Sequence, residues 1–147
     1  MNCFTKSELK TRSCRRAAEV IKGHVEEGTG IHSRIFEVLI PDEYVIIGES
    51  KKGKTYREHI VPCCIIRDEC VKMFKAGADI NSVAEVIEKH VAIIKITFDD
   101  ANLLDKKLGW KNTMPPGWKF NEDTIFDRLE KAGIDYFLYE KDKTKAA

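Results

Sequence analysis

The chain of 147 residues lacks a long apolar run, a C-x-x-C pair and a strong excess of either charge. Its longest apolar run, residues 60–66, is far too short to cross a bilayer, so we expect no membrane partner. Residues 1–16 carry no apolar stretch of the kind found in signal peptides, which predicts a cytoplasmic location. Because the net charge is only +1, any affinity for DNA or RNA must come from local basic clusters.

Five cysteines are present, and their spacing argues against a disulfide or a zinc site. Cys63 and Cys70 are seven positions apart, which places them on one face of a helix about 10 Å from each other. That separation is too large for one disulfide bond or one metal ion. We therefore expect reduced thiols with a packing role.

The pattern of apolar residues and turn signals predicts one domain spanning residues 1–147, of the α+β class. A capping box at Thr5–Glu8 predicts an N-terminal helix that begins near Ser7, and the glycines at 28 and 30 end it. The expected order after this helix is an antiparallel β-meander over residues 34–40, 44–47 and 55–61, an inserted helical pair over 64–76 and 82–90, a further strand over 91–97, and C-terminal helices before a final strand over 134–139.

Residues 48–55, GESKKGKT, match the phosphate-loop pattern G-x-x-x-x-G-K-[ST], which leaves nucleotide binding by Gly48–Thr55 open. Such a loop requires a helix directly after its lysine, whereas Thr55 begins an alternating segment that Pro62 stops. The sequence therefore favours a connecting turn in which Gly53 adopts a positive φ. Three lysines decorate this turn as solvated charges or as phosphate contacts: Lys51, Lys52 and Lys54.

Strand alternation after the turn places Arg57 and His59 on one face and Glu58 on the other. A histidine that ends a hairpin strand, beside an acid and before Ile-Val-Pro, resembles the start of the HNH, or His-Me finger, nuclease motif. In that family the strand histidine is the general base that activates water, and a later helix holds one divalent metal ion. The alternative is a half-buried strand histidine with a hydrogen-bond partner.

The resemblance implies a metal-dependent nucleic-acid phosphodiesterase with His59 as the general base. The helix from Phe98 would carry the metal ligands, for which Asp99, Asp100 and Asn102 are the available groups. These hard oxygen ligands suit magnesium or manganese. The phosphate groups of the substrate would be held by Arg57 together with Lys51, Lys52 and Lys54.

The sequence also leaves open a non-enzymatic function, in which the chain binds a host protein or nucleic acid, for example as an inhibitor of a defence system. Residues 58–134 with their Thr-Met-Pro-Pro-Gly-Trp segment resemble small proteins of phages and mobile elements, and that resemblance implies no activity by itself. Three surfaces could serve such a partner: the basic face of the N-terminal helix around Arg16, the lysines of residues 51–54, and the loop that carries Trp118.

Overall fold

A four-stranded mixed sheet forms the middle layer of the protein, whose computed structural model describes residues 3–140. Helices cover both faces of this sheet, which confirms the α+β class. The elements follow in the order α1 (Lys6–Glu27), α2 (Ile35–Leu39), β1 (Ile46–Ser50), β2 (Tyr56–His59), α3 (Cys63–Lys75), α4 (Ile80–His90), β3 (Ile93–Ile96), α5 (Phe98–Asn102), a π-helical segment (Leu103–Lys107), α6 (Asp127–Lys131) and β4 (Tyr136–Leu138).

Helix α1 begins and ends where its capping signals predict. The Thr5 side chain accepts a hydrogen bond from the Glu8 backbone N–H at 3.1 Å. Gly28 closes the helix with φ +72°, a left-handed conformation that glycine adopts without strain. None of the helices within residues 3–140 has the combined length and apolar character needed to cross a membrane.

The predicted strand over residues 34–40 is wrong, because Ile35–Leu39 form helix α2. The helix buries Phe36 in the core next to α1, and the Ile40 backbone N–H closes its last turn on the Phe36 carbonyl. A short apolar run of this length fits a strand or a helix equally well, so local pattern does not decide between them.

The predicted antiparallel meander is also wrong, because strand order in the sheet is β2-β3-β1-β4. Strand β3 lies between β1 and β2, parallel to β1 and antiparallel to β2. β3 takes this central position because it is apolar on both sides: Ile93 enters one core cluster, whereas Ile94 and Ile96 enter the other. Strand β2 is thereby left at one edge of the sheet and β4 at the opposite edge.

The two faces of the sheet are covered by different sets of helices. Helices α1, α3 and α4 pack on the face that Ile93 and Val61 share. The second face, with Ile94 and Ile60, is covered by α5, the π-helical segment and α6 through Ala101 and Leu104. A side chain at an odd-numbered position of β2 therefore faces one set of helices, and a side chain at an even-numbered position faces the other set.

Within the segment Gly48–Thr55, residues 48–50 belong to strand β1 and residues 51–55 connect it to β2, as the sequence favours, although the two strands are not neighbours in the sheet. No helix begins at Lys54, since strand β2 starts at Tyr56. Gly53 has φ +158°, which confirms the predicted positive φ. Gly48 is required for a different reason, because a Cβ built there would lie 2.3 Å from the Phe137 carbonyl oxygen. Both glycines thus have structural roles, and the helix N-terminus that a phosphate loop needs is missing from this segment.

Substitution Gly48→Ala tests this close approach of β4 to β1. The added Cβ clashes with backbone, which cannot rotate away, so we expect the free energy of unfolding to fall by about 1–3 kcal/mol. The matched control is Gly30→Ala, where the new Cβ meets no atom within 4 Å and φ is not positive. Thermal unfolding measures both variants, and equal melting temperatures would contradict the pairing of β1 with β4 at Gly48.

A candidate active-site cleft along strand β2

A polar cleft of about 220 Å³ follows the outer edge of strand β2. Residues Tyr56–His59 form its floor, and the first turn of α3 at Cys63 and Cys64 closes one end. The walls come from α2, the π-helical segment, the loop after it and α6, through Glu37, Asp105, Lys111 and Arg128. The cleft therefore collects side chains from five separate elements beside an edge strand.

The predicted alternation along β2 is confirmed by the partners of its side chains. Arg57 and His59 both approach Glu37 of α2. Glu58 points to the other side of the sheet, where it binds Arg128 of α6. The strand thus delivers a histidine and an arginine to one side of the cleft and a carboxylate to the other.

His59 is largely buried, with 14% of its side chain exposed, and it lines the cleft. Its Nδ1 atom lies 3.9 Å from the Glu37 Oε1 atom. Burial lowers the pKa of His59 from its ordinary value, and the nearby Arg57 charge lowers it further, whereas Glu37 opposes the shift. The lowered pKa favours the uncharged imidazole at neutral pH, which is the form that accepts a proton.

Arg57 is the other residue predicted to act in catalysis, and its charge is already paired. Its Nε and Nη2 atoms donate to the two Asp42 carboxylate oxygens at 2.5 and 2.8 Å. Glu37 lies 4.0 Å from its Nη1 atom. The hydrogen bond to Asp42 raises the pKa of Arg57, so the guanidinium stays charged and is fixed in place. Arg57 is thus held at the rim of the cleft by Asp42, and its charge is not free to bind a phosphate.

Arg128 is fully buried and joins three parts of the fold. Its Nη2 atom donates to Glu58 Oε1 at 2.6 Å and to the His59 carbonyl oxygen at 2.5 Å. Its Nη1 atom donates to the Trp110 carbonyl oxygen at 2.7 Å. Burial raises the pKa of Glu58, and the Arg128 charge opposes that shift. The Arg128 guanidinium thereby occupies the outer edge of β2 and fixes the backbone of His59, the candidate base.

The three predicted metal ligands do not lie with His59. His59 pairs with Ile93 at the start of β3, whereas Asp99, Asp100 and Asn102 belong to α5, after the strand's end. The strand rises about 10 Å between its first and last residues. Helix α5 also packs on the opposite face of the sheet from Val61, the face that His59 shares by parity. None of these three residues lines the cleft.

A different acid from the same region enters the cleft. Asp105 lies in the π-helical segment, where the Leu108 backbone N–H bonds to the Leu103 carbonyl at 2.9 Å, and it lines the cleft. Burial raises the pKa of Tyr56 and of Glu58, and the negative charge of Asp105 raises each of them further. Single π turns inside helices often occur at functional sites. No pattern in the sequence distinguishes Asp105 from the other acids near it.

The three lysines of the turn lie outside the cleft. Lys51, Lys52 and Lys54 are all exposed at the tip between β1 and β2. Lys51 forms an ion pair with Asp135 at 3.4 Å. The lysine that does line the cleft is Lys111, in the loop after the π-helical segment.

All five cysteines are free thiols in the structure. Burial raises the pKa of Cys14, Cys63 and Cys70 to about 12, so these thiols stay protonated at neutral pH. Cys64 donates a weak hydrogen bond from its Sγ atom to the Asn112 carbonyl at 3.4 Å. These features agree with a packing role for the cysteines.

Comparisons with protein-family models, with curated proteins and with solved structures find no significant match. The resemblance around Glu58–Pro62 to the HNH motif therefore stays a prediction. Any functional argument must come from the geometry of the cleft itself.

Substitution Arg128→Met tests the importance of the buried guanidinium. Removing it leaves the Glu58 carboxylate and two backbone carbonyls without their donor, so we expect unfolding to become easier by about 3–5 kcal/mol. Adding Glu58→Gln removes the uncompensated charge and should recover part of that loss. The control is Arg16→Met on the exposed face of α1, which should be nearly silent in the same denaturant titrations. A small effect for Arg128→Met would refute its structural role.

Proposed function

We propose that the protein is a nuclease-like phosphodiesterase in which His59 is the general base. The observation that carries this proposal is the largely buried, uncharged imidazole beside Glu37 in a polar cleft. A histidine in this state can remove a proton from an attacking water molecule at neutral pH. Perturbed pKa values in a cleft are themselves typical of functional sites.

Glu37 supports the proton transfer from the other side of the imidazole. Its carboxylate oxygen lies 3.9 Å from Nδ1, which is an ion-pair distance and too long for a hydrogen bond. In the proposal Nε2 accepts the proton from water, and the imidazolium that forms gains a favourable interaction with the Glu37 carboxylate. The carboxylate thus favours the charged imidazole that forms during the reaction.

The first turn of α3 is the best candidate to hold the phosphate. The first N–H groups of a helix have no acceptor within the helix, and no side chain caps those of α3. Cys63 and Cys64, the first two residues of α3, line the end of the cleft. Lys111 adds a positive charge to the same cleft. A helix N-terminus with a nearby lysine is a recurrent anion site in proteins.

The predicted magnesium or manganese ion does not fit this donor set. Asp99, Asp100 and Asn102 cannot share one ion with His59, because they lie beyond the far end of β3. Within residues 3–140, no group of three or more histidine, cysteine, aspartate or glutamate side chains could hold a metal ion. The proposed chemistry is therefore assigned only to side chains and backbone groups of the cleft.

Substitution His59→Ala should lower the rate of cleavage of single-stranded or plasmid DNA, or of RNA, by about a hundredfold or more, the usual scale for a general base. The fold should persist, because the ion-pair contact of the His59 side chain with Glu37 is 3.9 Å long and 14% of the side chain is exposed. The matched control is His24→Ala, a histidine at the end of α1 that lines a separate groove. Assays run with magnesium, with manganese and with EDTA, and Asp100→Ala should match the wild type in each.

Activity should also depend on pH in a defined direction. The base works when it is unprotonated, so kcat/KM rises as the pH passes upward through the His59 pKa. Because burial lowers that pKa from its ordinary 6.5, the midpoint of the rise should lie below pH 6.5. Equal activity of wild type and His59→Ala would identify a contaminating enzyme and overturn the assignment.

A second candidate function is binding of a protein partner without catalysis. The observation that favours it is the outer edge of β4, where Phe137 and Leu138 expose 43% and 49% of their surface. The alternative surface around Trp118 is less suitable, since Trp118 packs edge-on against His90 and Phe120 and donates a hydrogen bond to the Thr124 carbonyl. Absence of cleavage by the purified protein under every metal condition would favour this function over the first.

A further inference from the structure

An exposed aromatic side chain lies beside the cleft and takes no part in the core. Phe98, the first residue of α5, exposes 60% of its surface and belongs to neither core cluster. The edge of its ring meets Tyr56, with ring centroids 5.8 Å apart and the planes at 64°. Tyr56 in turn lines the cleft. The aromatic pair therefore extends from the solvent at Phe98 to Tyr56, which lines the cleft at the end of β2 opposite to His59.

The lysine-bearing turn lies directly against the residue before Phe98. A Cβ built on Gly53 would be 3.1 Å from the Thr97 Cγ2 atom, so the backbone of the turn touches Thr97. Lys52 and Lys54 are exposed on this turn and form no ion pair within residues 3–140. Two exposed lysines without an ion-pair partner among residues 3–140 thus flank the glycine that contacts Thr97, the residue before Phe98.

We propose that Phe98, with Lys52 and Lys54, forms a platform that binds single-stranded nucleic acid and leads it to the cleft. This inference rests on the proposed function, because it names the class of substrate for the same cleft. Every unpaired base has a face that stacks on an aromatic ring, and lysines beside the ring contact the connecting phosphates. A duplex stacks its bases on each other, so it offers no free base to Phe98.

Acids near the platform set the expected strength of binding. Asp99 and Asp100 follow Phe98 directly, and Asp105 lies near Tyr56, so the surface is not strongly positive. Stacking on Phe98 therefore supplies the larger share of the affinity. Two lysine contacts to phosphates predict a shallow salt dependence, with a slope of log K against log salt of about −1.4.

The test measures binding apart from cleavage. Fluorescence anisotropy in EDTA follows a labelled single-stranded oligonucleotide and the matching duplex, with His59→Ala as the background that prevents cleavage. We expect the single strand to bind at least tenfold more tightly than the duplex. Phe98→Ala should weaken binding of the single strand by about tenfold. Phe98→Trp should retain it, and Val20→Ala, an exposed apolar residue of α1, is the control.

The outcomes separate this inference from the proposed function. Binding that depends on Phe98 without cleavage by the wild type would support the platform and overturn the phosphodiesterase. Cleavage by the wild type with an unchanged Kd and KM in Phe98→Ala would overturn the platform alone. Equal binding of single strand and duplex, or no binding of either, would also overturn it.

Discussion

The buried guanidinium of Arg128 is the contact on which the cleft depends. A charge removed from water is tolerated only when acceptors surround it, and here Glu58 and the carbonyls of His59 and Trp110 do so. These acceptors belong to β2 and to the loop after the π-helical segment, which Arg128 joins to α6. Because only Arg128 Nε lacks a partner among the buried side-chain polar atoms of residues 3–140, the network is nearly complete. The hydrogen bonds of Arg128 therefore fix the position of α6 against the edge of the sheet.

This network and the candidate chemistry are connected through the backbone of His59. Arg128 holds the His59 carbonyl on the outer side of β2, while Ile93 of β3 pairs with the same residue on the inner side. With its backbone fixed on both sides, His59 directs its imidazole towards Glu37 and the first turn of α3. The burial of His59 that results from this packing also favours the uncharged imidazole. The structural role of Arg128 thus leaves His59 in a state that is suited to accept a proton.

Local signals in the sequence predicted the parts of the fold that depend on neighbouring residues. The capping box at Thr5, the alternation through Arg57, Glu58 and His59, and the positive φ of Gly53 are all confirmed. The insertion of β3 between β1 and β2 could not be predicted, because strand order depends on contacts distant in sequence. For the same reason the sequence does not reveal that Asp99, Asp100 and Asn102 lie away from His59. The sequence carries one signal that points to the buried position of Arg128. Four residues have the spacing of an apolar helix face, and a cation on such a face requires a buried partner: Ile125, Arg128, Leu129 and Ala132.

The protonation of His59 tests the central claim most directly. NMR titration of the His59 imidazole, assigned by comparison with His59→Gln, measures its pKa without any assumption about the substrate. Burial and the Arg57 charge should hold the midpoint below the ordinary 6.5, and Glu37→Gln should lower it further because the opposing carboxylate is lost. A midpoint at or above 6.5, or one unaffected by Glu37→Gln, would contradict a buried, uncharged base oriented by Glu37.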